Sequence, residues 1–224
     1  MGIERPTKTS IINAALATLG QEPIVSLDDE TSFQSSVKFA LAKFDILYRE
    51  FLAAHDWNCA RKTAKLNQLA ESNKKGWQYC YALPTSPECL RVSQISIDGG
   101  DTYYDYNAYY NGNSGGRACA CDIDGNYLYA NYSPIYVKYS AIIDPSELDP
   151  LLAGAFSYML ASELAYAIPA SVTLADYLHQ IYRRKLRAAK SNDAMNRNVP
   201  RLEGDAIRVR GGAGYGRAID DEDI

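Results

Sequence analysis

The chain has 224 residues, 47% of them apolar and 22% charged, with a formal net charge of −4. That is the composition of a folded globular chain, large enough for one large domain or two small ones and for a core that needs no crosslinks. The mild acidic excess argues against a globally basic nucleic-acid binder, leaving only local basic faces open.

The opening MGIERPTKTS lacks the apolar core of a secretion signal, and Pro6 stands where a myristoylation pattern needs Ser or Thr. No apolar run reaches the roughly 18 residues of a membrane-spanning helix. The expected location is a cytosol, or a particle assembled in one. Thr9 or Ser10 is placed to cap a first helix carrying Ile11, Ile12, Ala15, Leu16 and Leu19, with Gly20 as its stop. After the loop QEPIVSLDDETS, a second helix is predicted from about Phe33 to Ala54. Val37, Leu41, Phe44, Tyr48 and Phe51 fall on one face of it, which Ile46, Leu47 and Leu52 widen.

The stretch HDWNC then places His55, Asp56, Trp57 and Cys59 together. A cysteine nucleophile needs a base within hydrogen-bond reach, and residues four apart meet only if the helix continues. WNCARKTAKL reads instead as a strand, with Trp57, Cys59 and Arg61 facing one way. The preferred reading is therefore an elbow, with His55 bonding carbonyls at the helix end and Trp57 filling the join between a helical and a β part.

From Trp57 to Ile143 the helical period disappears. WQYCYAL, LRVSQISI, RACACDI, YLYA and IYVKYSA read as strands, separated by the turn sequences TSPE, DGGD, NGNSGG and DGN. DGN at 124–126 suits a tight hairpin. Cys119 and Cys121 would share a strand face, but no second ligand pair accompanies them, so a zinc site is not expected. The five cysteines, an odd number without a secretion signal, read as reduced thiols. DIDG at 122–125 lacks the downstream Glu of a calcium loop. The chain holds 18 Tyr against 5 Phe, many in this zone, including YYDYNAYY at 103–110. Tyrosine combines contact area with a polar tip, which suits a face that is wet before assembly and buried after it. An ordinary tyrosine-rich surface and a carbohydrate site are the competing readings. Stacking on nucleic-acid bases fits poorly with the acidic excess of this zone.

Helix returns at Pro145, with Ser146 and Glu147 in its first turn. Leu151, Leu152, Ala155, Tyr158, Met159, Ser162 and Ala165 form its face, and small residues allow close packing. Pro169 ends it. Ser171 caps a last helix running to about Asn192, with Leu174, Leu178, Ile181, Tyr182, Leu186 and Ala189 on its buried side. Arg183, Arg184, Lys185, Arg187 and Lys190 make its end basic, which reads as a solvated or subunit-facing end complementing the helix dipole rather than a DNA-binding face. Residues 193–224 are rich in Gly, Arg and Asp and have no apolar period, so they read as an arm that orders on a partner. GGAGYG at 211–216 follows no βα unit and is not a nucleotide loop. No GxSxG or HExxH motif and no glycosidase carboxylate pair is present.

The expected fold is α+β: an antiparallel helical bundle of two N-terminal and two C-terminal helices with an inserted antiparallel β domain and an extended C-terminal arm. The divisions are 1–56, 57–144, 145–192 and 193–224.

IINAALATLGQEPIVSLDD, the following helix, the Trp57-Asn58 pair with its basic strand, and WQYCYALPTSPECLRVSQI occur in an order that resembles the tail tubular protein A family. These are the head-to-tail adaptors, or connectors, of short-tailed bacteriophages. The resemblance is clearest over residues 10–97 and weaker through 146–190. It implies a non-enzymatic virion protein without cofactor or metal. Such a protein forms a twelve-subunit ring that joins the portal protein to the tail nozzle (tail tubular protein B), with the tail fibres as a further candidate partner, around a channel through which DNA passes without specific binding. On that reading Arg201, Arg208, Arg210, Tyr215 and Arg217 are candidate portal or neighbour contacts. Tyr103, Tyr104, Tyr106, Tyr109 and Tyr110 are candidates for the tail-side contact, and Trp57 and Asn58 form the structural junction. The competing class is a cell-wall carbohydrate hydrolase or binder using the tyrosine loop.

Overall fold

Four helices and eight strands are arranged as the expected α+β fold, in a computed structural model describing residues 5–24, 35–70, 74–99, 104–105, 121–167 and 172–196. Helix α1 (Lys8–Thr18) begins at least two positions earlier than the expected caps allow. Thr7 is the N-cap, its side chain accepting from the Ser10 backbone N–H while the Ser10 hydroxyl accepts from the Thr7 N–H. Ser10 thus completes the cap from inside the helix. Leu19 closes the helix and Gly20 follows with φ of 69°, a conformation that favours glycine.

Helix α2 (Ser35–Ala53) buries Val37, Ala40, Phe44, Leu47, Tyr48, Phe51 and Leu52. Leu41 packs partly buried against the same core. Ile46, expected to widen this face, points to solvent at 71% exposure. It lies two residues from Phe44 and so about 200° around the helix. Phe44, Tyr48 and Phe51 surround the Phe156 ring, with centroids 5.3, 5.3 and 5.2 Å away.

Phe156 belongs to α3 (Pro150–Ala167), the central helix, which packs against α1, α2 and α4. Burial on several sides explains its near-continuous run of apolar and small residues. Its start is corrected: Pro145–Glu147 form a separate 3-10 turn capped by Asp144, and α3 begins only at Pro150, after Asp149. Leu151, assigned to the buried face, is 49% exposed in that first turn. Helix α4 (Val172–Met195) buries Ala175, Leu178, Ala189 and Asp193, with Leu174, Ile181, Tyr182 and Leu186 partly covered. It runs past Asn192, so Asp193 belongs to the helix and not to an arm. The proposed cap Ser171 and the breaker Pro169 lie outside the described residues.

Between α2 and α3 the chain forms two antiparallel sheets. One has the strand order β1 (Arg61–Lys65), β8 (Tyr136–Ala141), β4 (Cys89–Ser96), β5 (Tyr104–Asp105). The other runs β2 (Asn67–Gln68), β3 (Tyr79–Ala82), β7 (Tyr127–Ala130), β6 (Cys121–Asp124). Val92, Ile95, Val137 and Tyr139 of the first sheet share a core with Tyr81, Leu128 and Ala130 of the second. The hairpin β6–β7 pairs Asp124 with Tyr127 around the expected tight turn. The first and last strands of the insertion are neighbours, with Arg61 opposite Ser140, and Ala141 N–H donates to Ala60 C=O. Entry and exit of the β unit are therefore side by side, and the helices on either side can close into one core.

Candidate functional site

The elbow between α2 and β1 is seven residues, Ala54 to Ala60. It is not a strand from Trp57 as the sequence suggested: residues 58–60 form a turn in which Ala60 N–H donates to Trp57 C=O. Trp57 is fully buried, and its indole N–H donates to Phe51 C=O at 3.1 Å. Its ring stacks on Phe51 at 5.7 Å and meets the edge of His55 at 4.5 Å. Its neighbours place it in the helical core. The indole N–H thereby satisfies a carbonyl of the last turn of α2, which has no partner within the helix.

Asn58 makes two bonds to one residue far along the chain. Its backbone N–H donates to Asp193 Oδ1 at 2.9 Å, and its Nδ2 donates to Asp193 C=O at 2.7 Å. The second bond satisfies a last-turn carbonyl of α4. Asp56 folds over the next turn and accepts from Arg61 Nε through both oxygens, at 3.1 Å each. The elbow is thus fastened to α2 by Trp57, to α4 by Asn58 and to β1 by Asp56. Sequence reading singled out Trp57 and Asn58 but missed Asp193. The one available signal was that Asp193 continues the buried stripe of α4 four residues beyond Ala189.

His55 was expected to bond carbonyls at the helix end. Its Nε2 instead lies 3.9 Å from Asp193 Oδ2. Burial lowers its pKa, with Lys190 acting in the same sense and Asp193 and Asp56 opposing. Burial raises the Cys59 thiol. Both groups are biased to their neutral forms, the reverse of an activated thiolate–imidazolium pair. Among the described residues no group of three or more His, Cys, Asp or Glu is arranged to hold a metal ion. Among the described residues Cys59, Cys80, Cys89 and Cys121 form no disulfide.

Beside the elbow lies a cavity of about 280 Å³, between the 145–149 turn and the end of α4. Glu147, Asp149, Asp193, Asn58, Asn192 and Asn196 are among the residues that line it. Two contacts brace the β unit from the other side. Arg49 of α2 binds Glu88 through both guanidinium ends at 2.8 and 2.7 Å, and Tyr48 Oη donates to Ile143 C=O at 3.1 Å.

On α4, Arg183, Arg184, Lys185 and Arg187 are exposed and Lys190 is half-buried. Lys185 also sits over the Tyr158 ring at 4.9 Å. Of the tyrosine loop only the backbone of residues 104–105 is described, as the edge strand β5 paired to β4. Tyr103, Tyr106, Tyr109 and Tyr110, and the arm residues Arg201, Arg208, Arg210, Tyr215 and Arg217, lie outside the described residues. No protein-family model and no curated protein matches this chain.

Proposed function

We propose that this chain is a head-to-tail adaptor of a short-tailed bacteriophage, a ring-forming structural protein of the virion neck assembled in the host cytoplasm. The observation carrying this reading is the elbow. The Trp57-Asn58 pair, central to the family resemblance, fastens a β unit to a helical body through Phe51 and Asp193. A subunit that transmits load between a portal and a tail nozzle needs its two parts held in fixed relation. The central helix α3, wrapped by the other three, suits a rigid ring body. The acidic balance suits a channel in which phosphate is repelled rather than retained. Among the described residues no helix is long and apolar enough to cross a membrane.

In this reading, the segment after Asn196 engages the portal or a neighbouring subunit through Arg201, Arg208, Arg210, Tyr215 and Arg217. The Tyr103–Tyr110 loop meets the tail. The test mixes the purified protein with portal rings from the same genome and follows mass by light scattering and shape by electron microscopy. A complex of portal and a second ring is expected, lost on truncation after Asn196. Truncation after Asn192 is the wrong control, since it removes Asp193 from the elbow. Absence of any portal complex, with lysis of cell walls in a turbidity assay, would replace this reading by the carbohydrate hydrolase.

A further inference from the structure

Helix α4 carries an outer face that neither the core nor the elbow uses. Tyr177, Gln180, Arg184, Arg187 and Ser191 follow one another at spacings of three, four, three and four residues, and all five are exposed. That spacing puts them on one side of the helix, over about 21 Å of its length. Arg183 stands one turn before Arg187 on the flank of the same face, and it too is exposed. Every one of these side chains can donate a hydrogen bond and none is acidic. The only carboxylates of α4 are Asp176, which accepts from Tyr166 Oη at 2.9 Å, and Asp193, buried at the elbow.

These arginines stand apart from other cations of the chain. Lys8, Lys43, Arg49, Arg61, Lys62 and Lys74 are each held by a carboxylate of the same chain. Among the described residues Arg183, Arg184 and Arg187 have no ion pair and no hydrogen bond. The helix dipole, which the sequence offered as their reason, does not account for them. They lie more than two turns before Met195, where α4 ends, and the dipole acts within the last turn. A protein partner would need an apolar centre to the contact, and between Leu178 and Ala194 no large apolar side chain of α4 is exposed. A phosphate backbone needs none, because it is met by Arg, Gln, Tyr and Ser donors. The planar guanidinium matches phosphate oxygens two at a time. Tyr177 is the single aromatic of the stripe, too few for the base stacking that holds single strands. Carboxylates elsewhere on the surface are screened from this face beyond about 10 Å at 0.1 M salt.

We propose that this face of α4 binds the phosphate backbone of double-stranded DNA through Arg183, Arg184 and Arg187, with Tyr177, Gln180 and Ser191 extending the contact along the helix. The contact carries no sequence preference, so DNA slides along it rather than being retained. This binding does not depend on the adaptor reading and is tested without portal.

Full-length protein is titrated against a fluorescein-labelled duplex of mixed sequence, and binding is read by fluorescence anisotropy over a range of salt. With three phosphates neutralised, the slope of log K against log salt is expected at about −2.7, roughly 40-fold weaker binding between about 50 and 200 mM. Arg183→Gln, Arg184→Gln and Arg187→Gln together are expected to weaken binding about tenfold or more at low salt and to flatten the slope. Circular dichroism should not change, since these side chains hold nothing in the fold. A control with the same loss of charge on other exposed cations, Lys38→Gln, Lys65→Gln and Lys75→Gln together, is expected to stay within about twofold of the wild type. No binding by the wild type at the lowest salt overturns the proposal, as does an equal loss in the two variants. Unchanged binding in the arginine variant also overturns it and moves the contact to the arginines after Asn196. Polyglutamate that displaces the labelled duplex as well as unlabelled DNA does would make this a dock for an acidic protein and overturn the phosphate assignment.

Discussion

Replacing Trp57 by Ala removes the largest fully buried side chain of the protein. Truncating a buried Phe or Trp to Ala costs about 3–5 kcal/mol in transfer and cavity terms. The Trp57→Ala change should lie in the upper half of that range, because three things go together. The stacking on Phe51 is lost, His55 loses the ring it packs against, and Phe51 C=O loses its donor at the end of α2. A domain has about 5–15 kcal/mol in all, so a large share of the stability is at stake. For a chain of this size each kcal/mol lowers Tm by about 2–4 °C, which puts the expected drop at roughly 8–20 °C. Urea unfolding followed by far-ultraviolet circular dichroism measures the loss. Trp77, the only other tryptophan, stands just before β3, so fluorescence of the variant follows the β unit separately. If the two units share one cooperative transition, both signals shift together. Trp57→Phe keeps a stacked ring but not the N–H, and is expected to lose about 1–2 kcal/mol. A Trp57→Ala midpoint equivalent to less than about 1 kcal/mol would refute the argument that this ring anchors the elbow.

Each Asn58–Asp193 bond joins one side chain to the other residue's backbone, so Asn58→Ala and Asp193→Ala remove different bonds: each should cost about 1–2 kcal/mol in urea unfolding, with the double variant near their sum, and a loss under about 0.5 kcal/mol would show that bond to be incidental. His55 predicts a pH dependence. Its folded-state pKa is lowered, so the unfolded chain binds the proton more readily. Stability from this group is complete above about pH 6.5 and falls as pH drops through the window below it, down to the folded pKa. Urea midpoints of the wild type should therefore fall more between neutral and mildly acid pH than those of His55→Gln, and parallel profiles would remove His55 from the explanation. Gly99→Ala should cost about 1–3 kcal/mol by thermal unfolding, because Gly99 has φ of 70° and an added Cβ would lie 2.7 Å from the Tyr136 ring. A neutral substitution there would mean that Tyr136 moves aside freely.

The legible parts of this fold were those where one periodicity dominates. In α2 and α4 the apolar spacing marks the face that packs, and the runs LRVSQISI and IYVKYSA became the paired strands β4 and β8. Ile46 and Leu151 show the limit of that signal: both are apolar, yet among the described residues both remain largely exposed, at 71% and 49%. Strand pairing was not legible, because β1 meets β8 across the whole insertion and β2 is only two residues long. The junction was half legible. Trp57 declares itself by size, but Asp193 looks like the first residue of a polar tail. Its burial is accounted for by the two bonds it accepts from Asn58, 135 positions away, and by the His55 imidazole beside its other oxygen.

That pairing has a mechanical consequence. The β unit leaves the helical body through two adjacent strands, β1 and β8, and a two-strand exit alone would allow it to pivot. Arg49–Glu88 and Tyr48–Ile143 brace it from α2 on one side. On the other side, Asn58 grips the last turn of α4, just three residues before Asn196. Whatever binds the segment after Asn196 therefore pulls on a helix end bonded directly to the elbow that orients the β unit. A load or a partner at the C-terminal segment reaches the β sheets through Asp193, Asn58 and the 58–60 turn, without first deforming the core around Phe156. Asp193→Asn is the substitution that separates these roles: it keeps the carbonyl bond from Asn58 and an acceptor oxygen for its N–H, but removes the charge facing His55. The fold should survive it, while the pH response should change. If the pH response stays as in the wild type, the elbow is a passive joint and the charge of Asp193 has no part in coupling the two ends.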